Sequence, residues 1–266
     1  MTTATNGNAL TGKVPAEAVH QLQRRPSEEL LGRLRVLTDP TGTVSDALDE
    51  FGIRGALLAS DFRPTIADAC VVGAAITVRN VVQRSEPFVL ASRRESRLAE
   101  IEGHNQARPG DVLVIQGVAG VSNMGGISAT IASRQGELGA VVDGGIRDVS
   151  RSRELGFPVW AREVSPITGK WRIETVEVNG SVEIGGVRVS PGDVVVADST
   201  GVCFIPLDAL ESVVTRCEEI VDGERQRHAD IASGISVPEL ANRTYVYQYS
   251  VDREPEDTAT REASKP

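Results

Sequence analysis

The chain has few of the residues that build metal clusters and covalent frameworks. Of its 266 residues, three are cysteine (Cys70, Cys203, Cys217) and three are histidine (His20, His104, His228). They are widely spaced, with no C-x-x-C pair, which excludes a structural zinc site or a disulfide scaffold. Cys70 and Cys203 fall in apolar runs and are expected as reduced core residues. No apolar run reaches the roughly 20 residues of a membrane span. The stretch from Met1 to Asn8 lacks the basic flank and apolar centre of a signal peptide, so a cytoplasmic protein without membrane association is expected. Basic residues are in deficit, 28 Lys and Arg against 37 Asp and Glu for a net charge of −9. They are also scattered, which argues against a nucleic-acid footprint. No G-x-G-x-x-G spacing and no P-loop lysine occurs, so no nucleotide is implied.

What is present is an ordinary globular composition, 40% hydrophobic and 24% charged. Residues 1–13 and 251–266 are small, polar or charged and are expected to be loose, leaving 14–250 as one domain. Leu30, Leu31, Leu34 and Leu37 follow a helical period, with Ser27 as N-cap. A second helix opens near Thr43 and stops before Gly52. Cys70 to Val78 reads as a buried strand with a bulge at Gly73. Pro109-Gly110-Asp111 and Pro191-Gly192-Asp193 are turns that each feed a strand. Val176 to Ile184 alternates around Asn179-Gly180, the pattern of a β-hairpin. A helix is expected over Ser128–Gln135, a strand at Val202–Ile205, and a long helix from Leu207 to Ile231. Helices before, between and after strands make one α/β domain.

Two segments carry chemistry. In the first, Leu138 to Val142 reads as a strand that breaks at Gly144-Gly145 into a tight turn and presents Arg147 beside Asp148. A guanidinium suits an anionic substrate and a carboxylate suits a hard divalent cation. In the second, Gly125 and Gly126 precede a helix whose first N–H groups favour a phosphate or carboxylate. The order helix start, helix, strand, Arg147–Asp148 can place both around one pocket. Asp143 and Asp198 read as turn residues, Trp160 and Trp171 as packing, and His104 as a satisfied or solvated histidine.

These residues bring a family into view. Gly125-Gly126, Ser128-Ala129-Thr130 and Val141-Val142-Asp143-Gly144-Gly145 with Arg147-Asp148 resemble the RraA-like family. Thr43 to Leu48, Pro109 to Val114, Gly185 to Asp193 and Asp198 with Gly201-Val202 match it in order, so the resemblance covers roughly 26–234. The family includes the 4-hydroxy-4-methyl-2-oxoglutarate aldolases, class II pyruvate aldolases that also decarboxylate oxaloacetate. The resemblance implies a compact α/β domain with layered β-sheets and flanking helices, assembled as a homotrimer or homohexamer with active sites between subunits.

It also implies roles. Asp148 would bind Mg²⁺ or Mn²⁺, and Arg147 the 2-oxo acid substrate. The backbone of Gly125, Gly126, Ile127 and Ser128 would bind substrate. A glutamate of the C-terminal helix, Glu224 by best match and Glu219 second, would reach the site from a neighbouring subunit. The chain departs from the aldolases at Gly126, where they usually carry an acid. The absence of lysine from these motifs argues against a Schiff-base aldolase. The expected activity is metal-dependent cleavage or decarboxylation of 2-oxo acids through a pyruvate enolate. The alternative is a non-catalytic regulator that binds a ribonuclease. Such regulators can lack the acid after the arginine and the long C-terminal helix, whereas this chain has Asp148 and a helical pattern at its C-terminal end.

Overall fold

Alternate residues of the central strands enter two different cores, and this sets the architecture. Ile76, Val78, Leu113, Ile115 and Val142 belong to one apolar cluster, whereas Ala75, Val112, Val114 and Val141 belong to the other. A period of two with both sets apolar means a sheet buried on both faces. The computed structural model of the chain describes residues 9–245.

The strands are β1 (Ala56–Leu58), β2 (Arg63–Pro64), β3 (Val71–Val82), β4 (Asp111–Gln116), β5 (Ser122–Met124), β6 (Gly139–Ile146), β7 (Val159–Val164), β8 (Ile173–Val178), β9 (Val182–Ile184), β10 (Val187–Val189), β11 (Val194–Ala197) and β12 (Gly201–Ile205). The helices are α1 (Glu28–Arg35), α2 (Pro40–Glu50), α3 (Pro87–Arg93), α4 (Ile101–Gln106), α5 (Gly126–Gln135), α6 (Val149–Glu154), α7 (Leu210–Ala232) and α8 (Val237–Asn242). The main sheet runs β1-β12-β11-β3-β4-β6-β7-β2, with β5 on β6 and β8 on β3. Its centre, β3-β4-β6-β7, is parallel. The β9–β10 hairpin packs Val182, Ile184, Val187 and Val189 into the second cluster, and α5 packs Ala129 and Ala132 into the first.

The described residues fall into two compact units that divide after Cys217, within α7. In the second unit, Asp230 accepts hydrogen bonds from Tyr245 Oη and Arg243, each at 2.7 Å. These bonds hold the Asp230 carboxyl below the usual carboxylate range. Helix α7 runs through Gly223 without a break. Among the described residues no helix is long and apolar enough to cross a membrane.

Several local expectations are corrected. Asn179-Gly180 does not join a hairpin, because β8 pairs with β3 while β9 pairs with β10 in a separate sheet. The hairpin turn is Gly185-Gly186, with φ of 58° and 81°, the double positive φ that a two-residue turn requires. Gly73 marks no bulge. It pairs in register with Val195, and a Cβ there would meet Gly110 O at 2.3 Å, so the glycine serves close backbone approach. Cys70 is exposed, while Cys203 and Cys217 are buried. Helix α2 begins at Pro40, earlier than its apolar period suggests, because proline is well suited to a first helical position. Of the N-terminal segment expected to be loose, residues 9–13 are described and are tethered. Thr11 N donates to Glu102 Oε2 at 2.8 Å and Asn105 Nδ2 to Ala9 O at 3.0 Å. Residues 1–8 and the expected tail 251–266 lie outside the described residues.

Candidate functional site

Strand β6 does not break at its glycines. It continues to Ile146, and neither Gly144 nor Gly145 has a positive φ. A Cβ on Gly144 would meet Asn123 Nδ2 at 2.5 Å, and one on Gly145 would meet Val121 O at 2.5 Å. The glycines therefore let the segment leading into β5 cross tightly over the end of β6. Fully buried Asn123 pins that crossing. Its Nδ2 donates to Val118 O, Val121 O and Gly145 O, and its Oδ1 accepts from Val118 N at 2.9 Å.

The turn falls instead at Asp148, whose φ of 57° and ψ of 39° put it in the left-handed region. Aspartate tolerates this conformation better than most residues. The result turns its side chain towards the start of α5, where Gly126 N donates to Asp148 Oδ2 at 2.9 Å. Arg147 Nε lies 3.6 Å from the same oxygen. The Arg147 and Asp148 side chains are 33% and 52% exposed, open enough to meet a ligand. Gly125 allows this convergence, since a Cβ there would meet Asp148 Oδ2 at 3.0 Å and Arg147 Nε at 3.2 Å.

Gly125, Gly126, Ile127, Ser128, Arg147 and Asp148 all line one pocket of about 220 Å³. It sits at the carboxyl end of the parallel strands, where open α/β sheets bind ligands. The N–H groups of the first turn of α5 have no partner within the helix and favour negative charge. Glu224 is an exposed residue of α7 and belongs to the second unit.

The pocket also holds residues outside the sequence motifs. Lys170, on the loop between β7 and β8, lines it and is exposed. Glu100, at the start of α4, lines it too, and burial pushes its carboxyl upward. That rise is opposed by the charge of His104, by backbone and Ser128 hydrogen bonds, and by Lys170. His104 is fully buried, with Nε2 2.7 Å from Ser128 Oγ and Nδ1 2.8 Å from Glu137 Oε1. The second carboxylate oxygen of Glu137 is buried without a hydrogen-bond partner.

The other flagged residues are structural. Asp143 accepts hydrogen bonds from Arg162 and from Gly185 N, and Asp198 binds Thr41 and Thr200 N. Trp160 is fully buried, its Nε1 donating to Asp198 O.

Asp148 supplies one accessible carboxylate, with Oδ2 already receiving Gly126 N–H. No group of three or more His, Cys, Asp or Glu is placed to hold a metal among the described residues. This donor set fits a hydrated Mg²⁺ or Mn²⁺ whose remaining positions are filled by water and substrate, since Mg²⁺ often takes only one or two protein carboxylates. It does not fit a closed protein cage.

Comparison with known proteins shows the family. The RraA-like family profile, described as Aldolase/RraA, matches residues 41–204. The chain is 31% identical over 211 residues to a protein of Halalkalibacterium halodurans named "Putative 4-hydroxy-4-methyl-2-oxoglutarate aldolase", covering 79% of this chain and 90% of that one. It is 30% identical over 213 residues to Protein DlpA of Legionella pneumophila, covering 77% of this chain but only 32% of DlpA. Streptomyces coelicolor RraAS2, described as an unusual member of the RNase ES inhibitor RraA protein family, superposes with a TM-score of 0.63 at 29% identity. That match covers 80% of this chain and 99% of RraAS2. A profile match over more than half the sequence, with an α/β architecture like that of RraAS2, places this chain in the RraA-like family.

Proposed function

We propose that the protein is a divalent-metal-dependent carbon–carbon lyase acting on 2-oxo acids, either by cleaving 4-hydroxy-2-oxo acids or by decarboxylating oxaloacetate. One observation carries the reading: Arg147, Asp148 and the N-terminus of α5 converge on one pocket. Both reactions develop negative charge on the 2-oxo oxygen as a pyruvate enolate forms. Arg147 presents a planar fork of N–H donors that can grip a substrate carboxylate and stay positive beside the developing charge. The N–H groups of Ile127 and Ser128 add a fixed positive potential along the α5 axis. Asp148 would hold the metal, which when bound supplies Lewis-acid stabilisation of the enolate oxygen. Aldol cleavage also needs a base at the 4-hydroxyl, a role we assign to Glu224 of a neighbouring copy in a cytoplasmic homotrimer or homohexamer.

The second reading is a regulator that binds a ribonuclease without turnover, favoured by the likeness to RraAS2. One experiment separates them. The protein is stripped of metal and incubated with oxaloacetate and with branched 4-hydroxy-2-oxo acids, with and without Mg²⁺ or Mn²⁺. Metal-restored pyruvate release is the expected result. No pyruvate from any of them under saturating metal would favour the regulator.

A further inference from the structure

The pocket is lined by aliphatic side chains that the lyase reading does not use. Leu98 and Ile101 belong to the segment that opens α4, and Ile127 and Ile131 lie one turn apart on the same face of α5. The 2.7 Å contact between His104 Nε2 of α4 and Ser128 Oγ of α5 ties the two helices together at the pocket. We propose that these four residues are the subsite for the substituent on carbon 4, and that the protein acts on 4-hydroxy-2-oxo acids carrying an uncharged, apolar group there and a single carboxylate. This rests on the lyase reading and narrows its substrate class.

Charge gives the first argument. Four of the lining residues are Asp, Glu, Lys or Arg: Glu100, Arg147, Asp148 and Lys170. The lyase reading commits Arg147 to the carboxylate at carbon 1 and Asp148 to the metal. A second substrate carboxylate would have to be met by Lys170 in the presence of Glu100. Lys170 is exposed, and an ion pair made to an exposed, hydrated ammonium is weak. Glu100 is an acid set between Leu98 and Ile101 in the chain. Burial pushes its carboxyl upward, and a second anion beside it would push it further in the same direction.

Apolar surface gives the second. Ile101 and Ile127 are 39% and 78% exposed, and Leu98 and Ile131 are half-buried. Aliphatic surface left open to water in a pocket favours a ligand group that covers it. The same side chains offer a carboxylate no hydrogen-bond donor to replace the water it would lose. In the reaction the bond between carbons 3 and 4 breaks and its electron pair stays on carbon 3 as the enolate. The 4-hydroxyl proton passes to the base, and carbon 4 leaves as a ketone or aldehyde bearing the apolar group. Oxaloacetate makes no use of this subsite, because its second carboxylate is carbon 4 itself and leaves as carbon dioxide.

The test measures binding first and turnover second. Two 2-oxo acids without a 4-hydroxyl, which cannot be cleaved, are titrated into the protein by calorimetry in the presence of Mg²⁺. One is 4-methyl-2-oxopentanoate, with methyl groups on carbon 4, and the other is 2-oxoglutarate, with a carboxylate there. The branched acid should bind at least about 10-fold more tightly, the lower end of what an apolar pocket discriminates. Ile131→Ala should narrow the gap by weakening the branched acid, with Ile101→Ala as the second variant if the first fails to fold. Glu100→Gln should narrow it by strengthening 2-oxoglutarate. Tighter or equal binding of 2-oxoglutarate would overturn the proposal and give Lys170 a second carboxylate, and binding of neither acid would overturn the subsite. A gap unchanged in the isoleucine variants would overturn the aliphatic subsite, and one unchanged in Glu100→Gln the part given to Glu100. Pyruvate release is then compared for 4-hydroxy-4-methyl-2-oxopentanoate and 4-hydroxy-2-oxoglutarate, with the higher kcat/KM expected for the first. If neither is cleaved while the binding preference holds, the lyase reading falls and the subsite stands. If the diacid is cleaved faster, the lyase reading stands and this proposal falls.

Discussion

Replacing Asp148 by asparagine separates the charge at this position from its shape. Asparagine also tolerates the left-handed conformation recorded at φ 57°. Its side-chain oxygen can still accept the Gly126 N–H, now 2.9 Å from Asp148 Oδ2. What disappears is a negative charge at the N-terminus of α5, worth about 0.3–1 kcal/mol on a side chain that is 52% exposed. A loss of that size lowers Tm by no more than about 4 °C in a protein of this size. Turnover should respond very differently. The variant loses the carboxylate that the motif pair offers a cation, and pyruvate release should fall about 10²–10³-fold, the range for deleting one preorganised electrostatic stabiliser. Asp148→Ala makes a poorer test. It removes the acceptor of the Gly126 N–H at the start of α5, for about 1 kcal/mol, and strains alanine in the left-handed region by about another 1–2 kcal/mol. The assay is metal-titrated pyruvate release from oxaloacetate, run beside thermal unfolding. An Asp148→Asn protein that melts normally and turns over at the wild-type rate would refute the metal assignment. One that fails to fold would show Asp148 to be structural.

Four further outcomes are expected. Arg147→Lys keeps a charge but not the planar fork, so KM for oxaloacetate should rise and kcat fall. Unchanged kinetics would remove Arg147 from the substrate. Borohydride reduction in the presence of pyruvate should leave the protein mass unchanged, because exposed Lys170 lacks the desolvated setting of an imine-forming lysine. An adduct on Lys170 would mean a Schiff-base mechanism. Arg25→Ala removes the cation paired with the Asp111 carboxylate, now gripped by the guanidinium's Nη1 and Nη2 at 2.5 and 3.0 Å and only 3% exposed. Denaturant unfolding should show a loss of about 3–5 kcal/mol, and a loss below about 1 kcal/mol would mean that Asp111 finds other compensation. Gly126→Asp restores the acid the aldolases carry, beside Asp148 Cβ and Arg151 Cβ, each 3.2 Å from the added Cβ. The ratio of aldol cleavage to decarboxylation should rise, and an unchanged ratio would show that the acid has no part in choosing between them.

The legible part of the fold was the part that burial on two faces writes into sequence. β3, β4 and β6 are rich in apolar residues because both of their faces enter a core, and β11 and β12 are apolar runs buried along their whole length. The two Pro-Gly-Asp turns were equally plain, and the structure gives them one cause. Asp111 accepts Arg108 N at 2.7 Å and Asp193 accepts Ser190 N at 2.7 Å, in each case three residues back. What misled was glycine. Gly73, Gly144 and Gly145 look like a bulge and a turn, but each is small because another backbone passes against it. Sequence records that a Cβ is missing. It does not record whether the reason is a dihedral angle or a neighbour.

The same distinction explains which half of the site could be read. Gly125 to Ser128 and Arg147–Asp148 sit at the two ends of a single helix–strand unit, α5 followed by β6, so short-range order alone puts them in one pocket. Glu100 and Lys170 reach that pocket from the start of α4 and from a loop beyond β7, and nothing local to either residue signals a ligand. His104 was a satisfied histidine, as its isolation suggested, yet satisfaction is what makes it interesting. Each ring nitrogen is engaged, one by a carboxylate with an unused oxygen and one by a hydroxyl that touches the pocket wall. Ser128, His104 and Glu100 all line the pocket, which is why this buried group belongs with the site as well as with the core.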